Sequence, residues 1–332
     1  MLKQGIIIQV MNAESRAVLP SSNVAALPSG RVKLEHLGVI LAKGPDAAKF
    51  LQGQMTQDFV LLEEYGARLT AYCSAKGRML ASFIGFRHAP EEFLLLCSKD
   101  LLASTLKRLS MFVLRSKVAL IDASDSWAIF GLSGNATLPS DGSLDKPWAK
   151  LQVGEKTYIN LYPSVGVSRQ VCVQPLSAPN AAADPLPLSL WAWGEVRSGV
   201  ATITAPLVEQ FVPQMLNFES VGGVSFKKGC YPGQEVVARS QFRGILKRRA
   251  YLAHSNCAMQ PGDHVYGPEA ELDSESEPAG TVVQAAPSPE GGFDAIVCLK
   301  VAAAGEGRLW HRLGGAEPIE LLPLPYDLLD DI

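Results

Sequence analysis

"FKKGCYPGQEVVARSQFRG", residues 226–244, sets one cysteine, Cys230, between two glycines, two lysines and a Gln-Glu pair. Pro232 suits a first helical position, and Gln234 and Glu235 suit the turn at the positive end of a helix dipole. "GQEVVAR" therefore reads as a helix with Cys230 just before its N-terminus, next to Lys227 and Lys228. Both features favour a thiolate and lower a cysteine pKa below its usual value of about 8.5. Gly229 and Gly233 allow the backbone to turn tightly around the thiol. On these residues alone, Cys230 is a nucleophile, a cluster ligand, a redox group or a buried inert thiol.

The surrounding 332 residues are 47% hydrophobic, enough for two or three domains with their own cores. A net charge of −3 demands neither a nucleic-acid nor a membrane partner for the chain as a whole. "GIIIQVM", residues 5–11, is far shorter than the roughly 20 apolar residues that span a bilayer, and reads as an edge strand or leader. The six cysteines show no C-x-x-C spacing, and Cys97, Cys172 and Cys298 sit in apolar strand-like runs. That pattern predicts free, buried thiols in a reducing compartment, with the cytoplasm as the expected location.

Along the chain, "KLEHLGVILAKG" reads as a strand and "PDAAKFLQGQMTQDFV" as a helix. Residues 67–99 read as three strands, and "DLLASTLKRLS" as a helix that leads into another strand. Short strands dominate residues 126–173, and helical patterns return at "LWAWGEVRSGV" and "TAPLVEQFVPQMLNFESV". After Lys247, six short strands in about 85 residues predict a small barrel or sandwich. The acidic stretch "PEAELDSESEP" reads as a solvated hairpin tip. Strands and helices are mixed rather than strictly alternating, which favours α+β over a doubly wound sheet.

Other constellations are weaker. None of the five histidines has a spacing that ties it to Cys230 as a catalytic partner. His254 and Cys257 lack a second ligand pair at zinc spacing, so no metal site is expected. Residues 227–249 carry seven Lys/Arg against one acid, a +6 strip around Phe242. Such a strip can hold RNA, an anionic polyglutamate tail or a phosphate, or simply be a solvated face.

"GVSFKKGCYPGQEVVARSQFRGILKRR", residues 223–249, resembles the K-G-C-Y-x-G-Q-E signature of the YgfZ family of folate-binding, tRNA-modifying proteins. That family is related in fold to the T-protein (aminomethyltransferase) of the glycine cleavage system. "FLQGQMTQD", "CSAKGRM", "RSKV", "QFVPQMLNFESVGG" and "PLPYDLL" resemble further family segments in the same order, from about residue 31 to 329. The likeness is weakest between about 125 and 185.

The resemblance implies an α+β, aminomethyltransferase-like fold: two α+β subdomains and a C-terminal β-barrel around a central channel. The expected segments are a leader or edge strand at 1–30, an N-terminal folate-binding part at 31–120 and a second subdomain at 121–185. A return segment with the cysteine motif at 186–245 and the barrel at 246–332 complete the chain. The resemblance further implies a folate-binding accessory protein for assembly or repair of iron–sulfur enzymes, including one that thiomethylates tRNA. Tetrahydrofolate or another reduced folate is the implied cofactor. The implied partners are iron–sulfur enzymes or their assembly machinery, with tRNA involved only indirectly and no membrane.

By the same resemblance Cys230 is the working thiol and Trp191 the folate-side tryptophan, with Trp193 its near neighbour. Lys228, Tyr231 and Gln234 complete the expected cofactor-binding set. The chain departs from the family at Leu37, where relatives can carry a second tryptophan, at Ser74 for Asp, and at Arg197 for a pterin-holding Glu. The alternative function is a folate-dependent one-carbon transferase, an enzyme in the ordinary sense. No acidic pair stands in "CSAKGRMLASF", where the transferases carry acids, and this favours the accessory role.

Overall fold

The computed structural model describes residues 28–139, 142, 144–180, 182–242, 246–267, 277–311 and 318–329. The apolar run at 5–11 and most of the acidic stretch, at 268–276, lie outside the described residues.

Strand β1 (Gly30–Lys33) is followed by β2 (Leu37–Lys43), helix α1 (Ala47–Gln52), β3 (Ala67–Cys73), β4 (Met79–Ala89) and β5 (Glu92–Ser98). Helix α2 (Lys99–Ser110) leads to β6 (Ala119–Asp122), and β2–β6 form one antiparallel sheet in the order β3-β4-β5-β2-β6. The next strands are β7 (Trp127–Ser133), β8 (Lys150–Val153), β9 (Lys156–Asn160) and β10 (Arg169–Pro175). With β1 at its edge they form a second sheet, β1-β7-β10-β9-β8.

The period-two alternation of these strands decides how the sheets stack. Val39 of β2, and Leu94 and Leu96 of β5, face Ile129 of β7 and Val171 and Val173 of β10 in one shared core. The intervening Ile40, Ala42, Phe93, Leu95 and Cys97 turn to the opposite face, where Phe50, Leu51, Leu101 and Leu102 of α1 and α2 cover them. Helix α3 (Leu188–Arg197) also serves the shared core, because Trp191 lies flat against Gly131 of β7. A Cβ at Gly131 would sit 2.6 Å from the indole, so only glycine allows this approach.

Helix α4 (Gln234–Phe242) precedes the last sheet, built of β11 (Arg248–Ser255), β12 (His264–Val265), β13 (Gly280–Pro287) and β14 (Phe293–Lys300). After helix α5 (Val301–Glu306) it is completed by β15 (Leu309–Trp310) and β16 (Pro318–Leu322). The order β12-β13-β14-β11-β16-β15 nearly closes on itself. Tyr266, just after β12, and Trp310 of β15 exchange N–H···O bonds of 2.9 and 3.0 Å across the seam. The expected six-strand barrel is therefore present, with Ala253, Val282, Ala295 and Val297 inside. Its outward-facing Leu252, Ile296 and Cys298 join the core beneath α1 and α2.

Two helical expectations are corrected. The helix read over "PDAAKFLQGQMTQDFV" stops at Gln52. Beyond it Thr56 leaves the helical path because its hydroxyl accepts from the Ala71 N–H (2.8 Å) and donates to the Gly223 carbonyl (2.7 Å). The helix read over "TAPLVEQFVPQMLNFESV" is reduced to 3₁₀ turns at Ala205–Leu207 and Pro213–Leu216. Pro213 supplies no N–H, and Asn217 is left-handed (φ 57°). Asn217 instead donates its side-chain amide to the Ala250 carbonyl at 2.9 Å, joining this turn to the barrel.

Candidate functional site

The cysteine motif is built by three segments that are distant in sequence. Gly233, at φ +81°, cannot be helical, so α4 begins at Gln234 rather than at Pro232. A Cβ at Gly233 would lie 2.4 Å from the Ser74 carbonyl oxygen and 2.5 Å from Gly77 Cα, so "YPGQE" and "CSAKGRM" meet backbone to backbone. The third segment is "FLQGQMTQD". Lys228 is buried, and its ammonium donates to the carbonyls of Gln52 and Met55 just past the end of α1.

Burial pushes the Lys228 ammonium down to about 8, against the pull of Asp58 and Cys230. Its Nζ stands 4.6 Å from the centre of the Tyr231 ring, a cation–π contact. Tyr231 is buried, and burial raises its hydroxyl well above the usual value. Gln234 accepts the Tyr231 N–H at 3.3 Å, fixing the entry to α4. Lys228, Tyr231 and Gln234 thus hold the loop that presents Cys230. The thiol itself is exposed, whereas Cys73, Cys97, Cys172 and Cys298 are buried. Burial pushes Cys73, Cys97 and Cys298 up to about 12, far from reactivity at neutral pH.

Lys228→Met is expected to cost about 2–4 kcal/mol, since two buried carbonyls lose their donor. Urea unfolding reads this as a lower midpoint at unchanged slope. An unchanged midpoint would show that the strut contributes nothing.

Three of the seven basic residues of the strip have partners within the chain. Arg239 pairs with Glu235 at 2.6 Å, Arg249 with the buried Glu219 at 2.7 Å, and Lys228 with the two carbonyls. Arg243 lies outside the described residues, and Lys227 and Lys247 are exposed.

A second site lies between the two stacked sheets: a partly open pocket lined mainly by apolar side chains with a few polar groups, the usual make-up of small-molecule sites. Leu37, Leu69, Ile84 and Leu96 line it from the first sheet, and Leu161, Arg169 and Val171 from the second and its approach. Glu195 and Ser198 close it from the end of α3. Its aromatic walls are Phe83, Trp148 and Tyr162, the last two with ring centres 5.9 Å apart.

Trp148 takes φ +68°, unusual for so large a side chain. Three hydrogen bonds hold it there: N–H to the Asn160 carbonyl, carbonyl from the Ala67 N–H, and indole N–H to the Val221 carbonyl, each 2.8 Å. Strain secured in this way is characteristic of functional positions.

None of the five residues that the sequence singles out — Cys230, Trp191, Gln234, Lys228 and Tyr231 — lines this cavity. Trp191 is core, 1% exposed, and reaches the cavity only through Arg169, whose guanidinium carbon stands 4.3 Å from its ring centre. Cys230 opens onto its own shallow depression with Ala75, Gly233 and Glu235. Strand β3 connects the two places. Leu69 lines the cavity, and Cys73 leads into the turn under α4, four residues or roughly 13 Å along the strand.

The departures acquire physical roles. Leu37 is a cavity wall, and Ser74 is buried in the turn that receives Gly233. Arg197 faces the barrel, donating to Asp294 at 3.2 Å beside the Trp193 indole N–H at 2.7 Å. The acid at the cavity is Glu195, two residues earlier. Trp148, Arg169 and Glu195 were missed in the sequence; the pocket-facing side of α3 was the one signal open to reading, since Glu195 follows Trp191 at i+4.

Two stacked antiparallel sheets with a six-strand barrel define the aminomethyltransferase-like class. The T aminomethyltransferase of the glycine cleavage system from Bartonella henselae superposes with a TM-score of 0.65 at 15% identity, covering 90% of this chain and 86% of that one. In sequence, the chain is 30% identical over 317 residues to the tRNA-modifying protein YgfZ of Cronobacter sakazakii, covering 92% of this chain and 95% of the relative. The tRNA-modifying protein YgfZ of Serratia proteamaculans is also 30% identical, over 318 residues, covering 92% and 94%. No protein-family model matches the chain. The chain belongs to the YgfZ family.

Proposed function

We propose that this protein binds a reduced folate such as tetrahydrofolate in the cavity between its sheets and supports the assembly or repair of iron–sulfur enzymes, among them one that modifies tRNA. Cys230 is its working thiol. The observation that carries this reading is the exposure of Cys230 on a loop held by two other chain segments, while four other cysteines are buried. The folate assignment is supported by the cavity's aromatic walls and few convergent polar groups, which suit a flat heteroaromatic ligand. The tRNA link is supported by the names of the relatives, which describe tRNA-modifying proteins.

The roughly 13 Å along β3 makes the cavity and the thiol two stations of one protein rather than one pocket. The partners proposed are iron–sulfur enzymes or their assembly machinery, reached from the cytoplasm. Among the described residues no helix is long and apolar enough to cross a membrane.

Cells lacking the protein, complemented with wild type or Cys230→Ala at equal abundance, test the reading by mass spectrometry of methylthiolated tRNA. Wild type is expected to restore the modification and Cys230→Ala to lose most of it. Restoration by both would reduce Cys230 to a turn residue. Restoration by neither would move the one-carbon transferase reading ahead.

A further inference from the structure

The second sheet buries side chains on both of its faces. Ile129, Ile159, Val171 and Val173 point into the core shared with the first sheet, so the alternation turns Phe130, Leu132, Tyr158 and Cys172 outward. The outer face of an antiparallel sheet is commonly solvated and polar. Here these four side chains are buried, under covering stretches at 134–138 and 178–184. Two glutamines on the same face of β10 pin the covers. Gln170 donates to the Leu138 carbonyl at 3.1 Å and accepts its N–H at 2.9 Å, and Gln174 donates to the Ala178 carbonyl at 3.1 Å. Both glutamines are at most 2% exposed, so these bonds satisfy groups that water does not reach.

Between the covers lies a hollow of about 350 Å³, within the roughly 300–1,000 Å³ of small-molecule sites. Leu132, Tyr158 and Cys172 form its floor, and Leu138 faces them from one cover. It is distinct from the cavity between the sheets: Val171 lines that one and Cys172 this one, on opposite faces of β10. Two cations stand beside the apolar floor. Arg31 of β1 stacks on Phe130, its guanidinium carbon 3.5 Å from the ring centre, and donates to the side-chain oxygens of Gln174 and Asn180, each at 3.3 Å. Lys156 opens β9 on the same face as Tyr158, two residues further on. The two charges converge: burial pushes the Cys172 thiol up, and both Arg31 and Lys156 oppose that push. The one acid among the described lining residues, Asp184, is exposed at the rim.

We propose that this hollow is a separate binding site for a small organic anion. Its oxyanion head, a carboxylate or a phosphate, sits between Arg31 and Lys156, and its apolar body lies on Leu132, Leu138 and Tyr158. A guanidinium and an ammonium are the side chains that hold such heads by charge-assisted hydrogen bonds. A neutral molecule of the same shape keeps the apolar contact and loses the charge on both bonds, so the site selects by charge. The covers pinned by Gln170 and Gln174 keep the hollow formed before the ligand arrives. The site lies across β10 from the cavity proposed for folate and does not depend on that reading.

The test is methyl NMR of the full-length protein, with leucine and valine methyls labelled, titrated with phenylacetate, phenyl phosphate and the neutral phenylacetamide. The anions are expected to shift the methyls of Leu132 and Leu138, with dissociation constants of roughly millimolar order, as suits ligands of about ten heavy atoms. The tighter of the two anions identifies the head group. Phenylacetamide is expected to bind at least about fivefold more weakly than phenylacetate. Lys156→Met, at a half-buried strand end, is expected to weaken phenylacetate about threefold or more and to leave phenylacetamide within about twofold. Arg31→Met is expected to weaken phenylacetate about tenfold. Should that variant fail to fold, Lys156→Met and the wild-type comparison decide. Shifts at Leu37, Leu69 and Leu96 instead would place the anions between the sheets and overturn the separate site. Equal affinity for phenylacetate and its amide, unchanged phenylacetate binding in Lys156→Met, or no shift at Leu132 and Leu138 would overturn it as well.

Discussion

Arg249→Met is expected to lower the unfolding free energy by about 3–5 kcal/mol, the usual cost of removing one partner of a buried ion pair. The Glu219 side chain is fully buried and that of Arg249 only 11% exposed, with 2.7 Å between them. Arg249 also donates to the Asn217 side-chain oxygen at 3.3 Å and to the Leu329 carbonyl at 3.2 Å. It therefore joins the 213–220 turn, the barrel and the C-terminal "PLPYDLL" segment at one point. Tyr326 of that segment completes the junction by donating to the Gly199 carbonyl at 2.8 Å.

The loss should depend on pH, with a definite sign. Burial already pushes the Glu219 carboxyl up, and Arg249 opposes that push. Without Arg249 the folded-state value rises further above the unfolded one. The folded protein then binds the proton more tightly than the unfolded chain. Stability of the variant is therefore greatest below the unfolded carboxylate value and falls as pH rises towards the folded one. Urea unfolding at pH 5 and pH 8 should show the smaller deficit at pH 5. An equal deficit at both would mean that Glu219 is not the group left behind. Arg249→Met/Glu219→Gln should recover much of the loss, since the orphaned charge is then absent.

The sequence disclosed those parts of the fold that rest on local patterning. The alternation in "GVILAK" and "FLLLC" places Val39, Leu94 and Leu96 on one face and Ile40, Leu95 and Cys97 on the other, as the two cores require. The turn spacing of the last 85 residues made a barrel or sandwich legible, the family resemblance chose the barrel, and the helix after Cys230 was legible from Pro232, Gln234 and Glu235. The cavity was not legible, for a physical reason. Arg169 begins an ordinary strand, and Glu195 occupies an ordinary helical position. What sets them apart is that they line the same space, and that fact is not local. Trp148 depends on a left-handed backbone held by Asn160, Ala67 and Val221, all distant in sequence. Lys228 shows the converse. Its place in a distinctive motif suggested a ligand contact, whereas its ammonium is engaged by the carbonyls that follow α1.

Gly233→Ala is the sharper probe of the cysteine loop, because it separates the loop's architecture from its chemistry. Backbone of φ +81° costs a residue with a Cβ about 1–2 kcal/mol. The overlap is with the Ser74 carbonyl at 2.4 Å and Gly77 Cα at 2.5 Å, main-chain atoms that cannot rotate aside. Forcing those apart adds about 1–3 kcal/mol, as overpacking does. A total loss of about 2–5 kcal/mol is therefore expected in urea unfolding. Cys230→Ala should remain within about 0.5 kcal/mol of wild type, because the thiol is exposed. In the tRNA assay both variants should fail, one because the loop that presents the thiol is displaced and the other because the thiol is gone. Alkylation of Cys230 distinguishes the causes: in Gly233→Ala the thiol is still present, and its rate of reaction should change as its surroundings do. If Gly233→Ala unfolds at the wild-type urea concentration, the backbone-to-backbone contact of "YPGQE" with "CSAKGRM" does not hold the loop. If it is destabilised yet restores tRNA modification in full, the placement of Cys230 by that contact is irrelevant to function, and the thiol acts from a loop that needs no fixed seat.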